Sequence, residues 1–82
     1  MTSEAIKSLT HQHIMNTYGR FPVALDHGEG ATLYDPEGRE YIDFTSGIGV
    51  CDLGYGNQAW AQAIGTQAGK LGHTSNLFYT EP

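Results

Sequence analysis

The stretch Tyr34-Asp35-Pro36-Glu37-Gly38-Arg39-Glu40-Tyr41-Ile42-Asp43-Phe44 decides how the rest of the chain is read. Asp35 stands where a turn residue accepts from its own backbone, Pro36 presets φ at the next position, and Gly38 suits the exit of a type I turn. Beyond the turn Glu40, Ile42 and Phe44 alternate with Tyr41 and Asp43, so Ile42 and Phe44 share one face of a strand. Upstream lie two more short extended runs, Val23-Ala24-Leu25 and Thr32-Leu33-Tyr34, separated by a His27-Gly28-Glu29-Gly30 turn. The pattern predicts a three-stranded antiparallel meander with one apolar face in need of a cover.

A helix is predicted on either side of this meander. Ser3 is placed to cap the first, Glu4 suits the positive end of its dipole, and Gly19 offers the left-handed conformation that ends it. The expected span is Glu4 to Thr17, with a thin apolar stripe of Ile6, Leu9, Ile14 and Met15 that must lean on something else. Asn57 is placed to cap the second helix, whose buried stripe is expected to be Trp60, Ala63, Ile64 and Leu71 until Gly72 stops it. Gly65 and Gly69 inside it each cost about 1 kcal/mol relative to Ala, and their four-residue spacing reads either as one flank cleared for another backbone or as a tolerated imperfection.

Composition bounds the function. The 82 residues amount to about half of an average domain. One cysteine excludes an intramolecular disulfide framework, and no Cys/His cluster has zinc-ligand spacing, which points to a reducing compartment. Charged residues make up 16%, and nine carboxylates face only Lys7, Arg20, Arg39 and Lys70. Four scattered cations form no phosphate-binding stripe, so nucleic acid and anionic membrane are poor partners. The start of the chain has no apolar run behind a basic stretch, which reads as a cytosolic, soluble protein. Glycine is in excess at eleven, and Gly47, Gly49, Gly54 and Gly56 crowd into ten residues.

That glycine cluster lacks the third glycine of a dinucleotide-binding fingerprint and the Gly-Lys-Ser/Thr of a P-loop, and Asp52 would repel a pyrophosphate. It reads instead as a segment where a ligand or another chain comes close to bare backbone, or as a tight loop with several positive φ values. His11 and His13, two apart on a helix, point about 200° away from each other and cannot close on one metal. His73 with Thr74-Ser75-Asn76 forms a polar connector that also has donors for an anion. Cys51 reads as a buried, inert thiol without a cationic neighbour, and Asp43 and Asp52 as ordinary strand-end and loop acids. No residue pattern by itself names a reaction. At the end, Leu77, Phe78 and Tyr79 have nothing after them to pack on and Thr80-Glu81-Pro82 has the composition of a helix start, so the chain is expected to be a piece of a longer one.

Three stretches taken together resemble a known family. The quoted Tyr34 to Phe44 run, then Ser46-Gly47-Ile48-Gly49-Val50 with Leu53-Gly54, then Leu71-Gly72-His73-Thr74-Ser75-Asn76-Leu77-Phe78-Tyr79-Thr80-Glu81-Pro82, are similar in order and spacing to the amino-terminal part of class III pyridoxal-phosphate-dependent aminotransferases. The likeness runs from about residue 13 to the end, and the closing segment is most similar to the branch of the family acting on acetylornithine. Where the family commonly carries a His-Pro pair after Leu-Gly, this chain has Tyr55-Gly56-Asn57-Gln58.

The resemblance implies an α/β, fold-type I transferase, of which residues 1–82 form the amino-terminal part of the small domain and the start of the crossing to the large cofactor-binding domain. It implies a cytoplasmic homodimer with active sites at the subunit interface, moving an amino group from N-acetyl-L-ornithine to 2-oxoglutarate through pyridoxal phosphate in arginine biosynthesis. Neither Lys7 nor Lys70 lies in a motif matching the family's Schiff-base lysine, so no catalytic residue is expected here, and the 82 residues alone are expected to be inactive. What carries over is Ser46, Gly47, Ile48 and Val50, matching a loop at the substrate entrance, and Ser75, Asn76 and Tyr79, matching a segment that approaches the partner's site. The competing expectations are a non-enzymatic binding or dimerisation module using the Gly47 to Gly56 loop, and a small metal or phosphate binder depending on His73 or Gly47.

Overall fold

The computed structural model describes residues 1–82, in the order α1 (Ser3–His13), β1 (His27–Glu29), β2 (Thr32–Tyr34), β3 (Glu40–Ile42), a four-residue helical turn α2 (Ser46–Gly49), and α3 (Gln58–Lys70). The strands form one antiparallel sheet of order β1-β2-β3. Leu33 sits between Gly28 and Tyr41 in the register, and Tyr34 between His27 and Glu40. The antiparallel meander is therefore as expected, but its first strand is not Val23-Ala24-Leu25, and its third ends at Ile42, short of the expected Phe44, where the Asp43 carboxylate draws the chain into a turn.

Gly28 explains the shift. A Cβ on it would lie 2.8 Å from the Tyr55 Cβ and 2.9 Å from the Thr32 carbonyl oxygen, so this glycine serves close packing within a strand and not a turn. The chain reverses two residues later, through Gly30 at φ 60° and Ala31.

The Asp35 turn is the most highly determined part of the fold. Asp35 is 2% exposed. Its carboxylate accepts from the N–H of Glu37 at 3.0 Å, the N–H of Arg39 at 2.8 Å, Arg39 Nε at 2.7 Å and the Tyr41 hydroxyl at 3.1 Å. Burial pushes its pKa up, but the bonds from Arg39 and Tyr41 outweigh that and hold it below the ordinary value.

Helix α1 starts on a different residue from the one predicted. Thr2 is the cap, its Oγ1 accepting from the Ala5 N–H at 3.2 Å. Ser3 lies in the first turn and reaches across the fold instead, donating from its N–H and Oγ to Glu37 at 3.1 and 2.7 Å. A carboxylate at the amino end of the helix satisfies one free donor and complements the dipole. The helix stops at His13, with Ile14 extended, short of the expected Thr17 and without using Gly19. Ile14 and Met15 are 55% and 79% exposed, so no burial supports a further turn.

Asn57 caps α3 as expected, accepting from the Trp60 N–H at 2.9 Å. Its stripe is not buried: Trp60, Ile64 and Leu71 all stand 41% exposed or more, and nothing lies within 4 Å of a Cβ placed on Gly65 or Gly69. Ala24 is the one buried hydrophobic residue, alongside the polar Ser3 and Asp35. Leu33 and Ile42 of the sheet line an open groove of about 570 Å³ together with Phe21, Val23 and Leu25 from the segment before it and Phe44 just after it. The accessible surface is 7229 Å², against about 4,800 Å² for a closed monomer of this mass. The radius of gyration is 16.5 Å, where about 12 Å is usual for this length. Polar networks and backbone ladders, more than an apolar core, hold this arrangement.

Candidate functional site

After β3 the chain turns sharply at Asp43. One carboxylate oxygen, Oδ1, accepts from the Thr45 N–H at 2.8 Å, the Thr45 hydroxyl at 3.0 Å and the Ser46 N–H at 3.1 Å. The other, Oδ2, accepts from the Tyr55 hydroxyl at 2.6 Å. The Tyr55 bond, then the Thr45 N–H, bring the Asp43 carboxyl down to about 2 against the burial that raises it. Reciprocally, the bond to Asp43, with burial and the neighbouring Cys51 behind it, pushes the Tyr55 hydroxyl well above its ordinary range.

This anchor supports an unusual backbone. Ser46, Gly47, Ile48 and Gly49 follow one another at φ 51°, 61°, 67° and 74°, a left-handed turn closed by the N–H groups of Ile48 and Gly49 on the Thr45 carbonyl. A left-handed conformation costs about 1–2 kcal/mol at a non-glycine residue, and it is rarest at a β-branched one such as Ile48. Ile48 is 94% exposed, so no packing of its side chain offsets the strain. The Gly47 N–H makes no hydrogen bond within the chain.

The glycine cluster divides by role. Gly54 and Gly56 are packing glycines: a Cβ would lie 2.7 Å from the Gly30 oxygen and 3.2 Å from the Gly28 oxygen, respectively. Tyr55 between them exchanges both backbone hydrogen bonds with Gly30 at 2.9 Å, adding one bridge to the sheet edge. Gly47 packs on Cys51 Sγ, which would lie 3.2 Å from its Cβ; Cys51 is half-buried, not fully buried as expected. Behind the turn, Val50, Leu53 and Trp60 line an open apolar hollow of about 420 Å³.

The second set of expected site residues lies apart from the first. Ser75 and Asn76 line a polar cleft of about 270 Å³ with Gln67, Leu71 and His73, while the Tyr79 ring is fully exposed. No hydrogen bond joins Ser75, Asn76 or Tyr79 to Ser46, Gly47, Ile48 or Val50. Ser75 shares one trait with the turn: at φ 67° it is left-handed, and its Oγ accepts from the Leu77 N–H at 3.2 Å. Ser46, Ile48 and Ser75 are all of the chain's non-glycine residues at positive φ, and all are among the residues expected at a site. Strain of this kind concentrates at functional positions.

Asp43 and Tyr55 were not among the expected site residues. An Asp at a strand end followed two residues later by Thr is a turn signal legible in the sequence; the distant Tyr55 is not.

The family model "Aminotransferase class-III" matches residues 14–82. The chain belongs to the class-III aminotransferase family. It is 52% identical over all 82 residues to acetylornithine aminotransferase of Haemophilus ducreyi, covering 21% of that protein. Its fold superposes on the crystal structure of acetylornithine aminotransferase from Elizabethkingia anophelis with TM-score 0.89 at 36% identity, covering 99% of this chain and 21% of the other. It also matches the ornithine aminotransferase of Toxoplasma gondii, crystallised with oxidised glutathione and with PLP partially occupying its active site: TM-score 0.86, 29% identity, 98% of this chain and 19% of the other. The chain spans about a fifth of the length of these relatives.

Membership of this class-III family raises the question of pyridoxal phosphate, which needs an amine for its aldehyde, an acid for its ring nitrogen and donors for its phosphate. Lys7 pairs with Glu4 on α1, and Lys70 ends α3 on the rim of an open surface hollow. The best-placed acids, Asp35 and Asp43, are already committed to internal hydrogen bonds. These residues do not make a cofactor cradle. What they offer is an exposed left-handed turn with a free N–H. No helix is long and apolar enough to cross a membrane.

Proposed function

We propose that these residues are the substrate-facing arm of a pyridoxal-phosphate-dependent aminotransferase, which exchanges an amino group between N-acetyl-L-ornithine and 2-oxoglutarate in arginine biosynthesis. The observation that carries this is the left-handed turn at Ser46 to Gly49, strained at two non-glycine positions and exposed, in a chain of the class-III family. Strain persists where the surroundings over-determine it and function uses it. The free N–H of Gly47 gives the exposed turn a backbone donor for a substrate carboxylate. Ile48 and Val50 present apolar side chains to the chain of the amino donor, and Ser46 adds a hydroxyl at the margin.

In this reading residues 1–82 are the amino-terminal part of the small domain and the start of the crossing to the large one. The lysine, its partner acid and the phosphate cup belong to the large domain, and pyridoxal phosphate supplies the electron sink for amino transfer when bound there. The enzyme is a cytoplasmic homodimer, and Ser75, Asn76 and Tyr79 approach the partner's site. Names of the relatives, acetylornithine and ornithine aminotransferases, support the donor class.

The test is steady-state turnover by the longest natural chain carrying these residues, with 2-oxoglutarate and, in turn, N-acetylornithine, N-succinylornithine and ornithine. Preference for the acetylated donor by kcat/KM is expected. Preference for free ornithine, or no transamination at all, overturns the reading.

A further inference from the structure

We infer that Asp43 and Tyr55 are a positioning pair, which sets the left-handed turn from Ser46 to Ile48 at the height and angle the amino donor requires. The inference rests on the reading of that turn as a wall of the substrate pocket, and it assigns a role to two residues that do not themselves touch the substrate.

The geometry is a closed ring hung from the β1–β2 turn. Asp43 is tied there by its N–H, which donates to the Ala31 carbonyl at 2.9 Å, and Tyr55 by the two backbone bonds it exchanges with Gly30 at 2.9 Å. The Tyr55 hydroxyl closes the ring on Asp43 Oδ2 at 2.6 Å. Gly28 has no Cβ, which would lie 2.8 Å from the Tyr55 Cβ, and so lets Tyr55 pack directly on β1. With Oδ2 held, Oδ1 is aimed at the Thr45 and Ser46 donors that start the left-handed turn. The bond from the Tyr55 hydroxyl to Oδ2 is the one side-chain hydrogen bond joining the turn's anchor to the Gly54 to Gly56 loop. Release of Oδ2 lets the carboxylate rotate, and the strained backbone at Ser46 and Ile48 then relaxes away from the position the donor needs.

The experiment uses the full-length enzyme with Tyr55→Phe, Asp43→Asn, the double variant and Thr45→Val. Tyr55→Phe removes the hydroxyl and keeps the ring. The expected result is an amino-donor KM raised about tenfold with kcat changed less than about threefold, because a displaced wall weakens ground state and transition state alike. The double variant is expected to be no worse than the poorer single one, since both substitutions act on the same Asp43–Tyr55 contact. A purely structural role predicts a lower melting temperature and a smaller active fraction with KM unchanged, and that result overturns the inference. If Tyr55→Phe does not fold, Thr45→Val, which removes only the hydroxyl bond to Oδ1, carries the same test with a smaller expected rise in KM. Gly47→Ala separates the two levels. If it raises KM while the pair variants do not, the pairing is wrong and the turn reading stands; if it too leaves KM unchanged, the turn is not a substrate wall.

Discussion

Ser3 and Glu37 are thirty-four residues apart and joined by two hydrogen bonds, from the Ser3 N–H and the Ser3 hydroxyl to the two Glu37 carboxylate oxygens. This contact docks the amino end of α1 on the β2–β3 turn. Glu37→Ala leaves the Ser3 N–H and hydroxyl without this partner. It is expected to destabilise the native protein by about 1 kcal/mol, the partial exposure of the carboxylate discounting the larger value of a charged hydrogen bond. Limited proteolysis should cut between α1 and β1 sooner in the variant, and equal cutting rates would contradict the docking role.

Gly28→Ala puts a methyl group 2.8 Å from the Tyr55 Cβ and 2.9 Å from the Thr32 oxygen, two neighbours that cannot both move without breaking the sheet edge. A loss of about 1–3 kcal/mol is expected, the usual range for overpacking. Gly65→Ala is the contrasting case: its Cβ meets nothing within 4 Å. In the 82-residue chain it should raise the helical circular-dichroism signal, in keeping with about 1 kcal/mol of helix propensity.

The acid dependence of stability follows from the Asp43–Tyr55 bond. The folded Asp43 carboxyl sits at about 2 against an ordinary 3.8, so its contribution is complete above about pH 4 and is lost as pH falls toward 2. Tyr55 is shifted the other way; its contribution is complete below pH 10 and lost as pH rises beyond that. In Tyr55→Phe the largest cause of the Asp43 shift is gone. Difference curves of melting temperature against pH, wild type minus variant, should therefore fall off on the acid side. A flat difference from pH 5 down to pH 2 would contradict the assignment.

The 82 residues by themselves bury one hydrophobic residue and leave Phe21, Ile42, Phe44 and Trp60 largely exposed. A broad, weakly cooperative thermal transition with dye binding or aggregation is expected, and addition of pyridoxal phosphate should produce no lysine-dependent absorbance band. A sharp transition in a monomeric state would favour a self-contained binding module instead.

Local chemistry was readable wherever the partners are near in the chain. The Asp35 turn, the β2 run, the first three residues of the β3 run and the Asn57 cap are all contained within a few residues, and the structure reproduces them. The left-handed turn was half legible: the glycines at 47 and 49 announce positive φ, but Ser46 and Ile48 do not, since nothing in their side chains asks for it. Two other readings went astray because a contact elsewhere took precedence. Gly28 looks like a turn residue until Tyr55 is seen against it, and Ser3 looks like a cap until Glu37 is found within reach.

From the sequence alone, then, come the turn chemistry, the alternation of β3, the start of α3 and the family resemblance, because each depends on residue type at short spacing. Only the tertiary structure decides that β1 begins at His27, that α1 ends at His13, and that Tyr55 closes on Asp43 twelve residues earlier. Those outcomes depend on which distant groups meet, and a hydrogen bond or a missing Cβ becomes decisive only when another segment is brought against it.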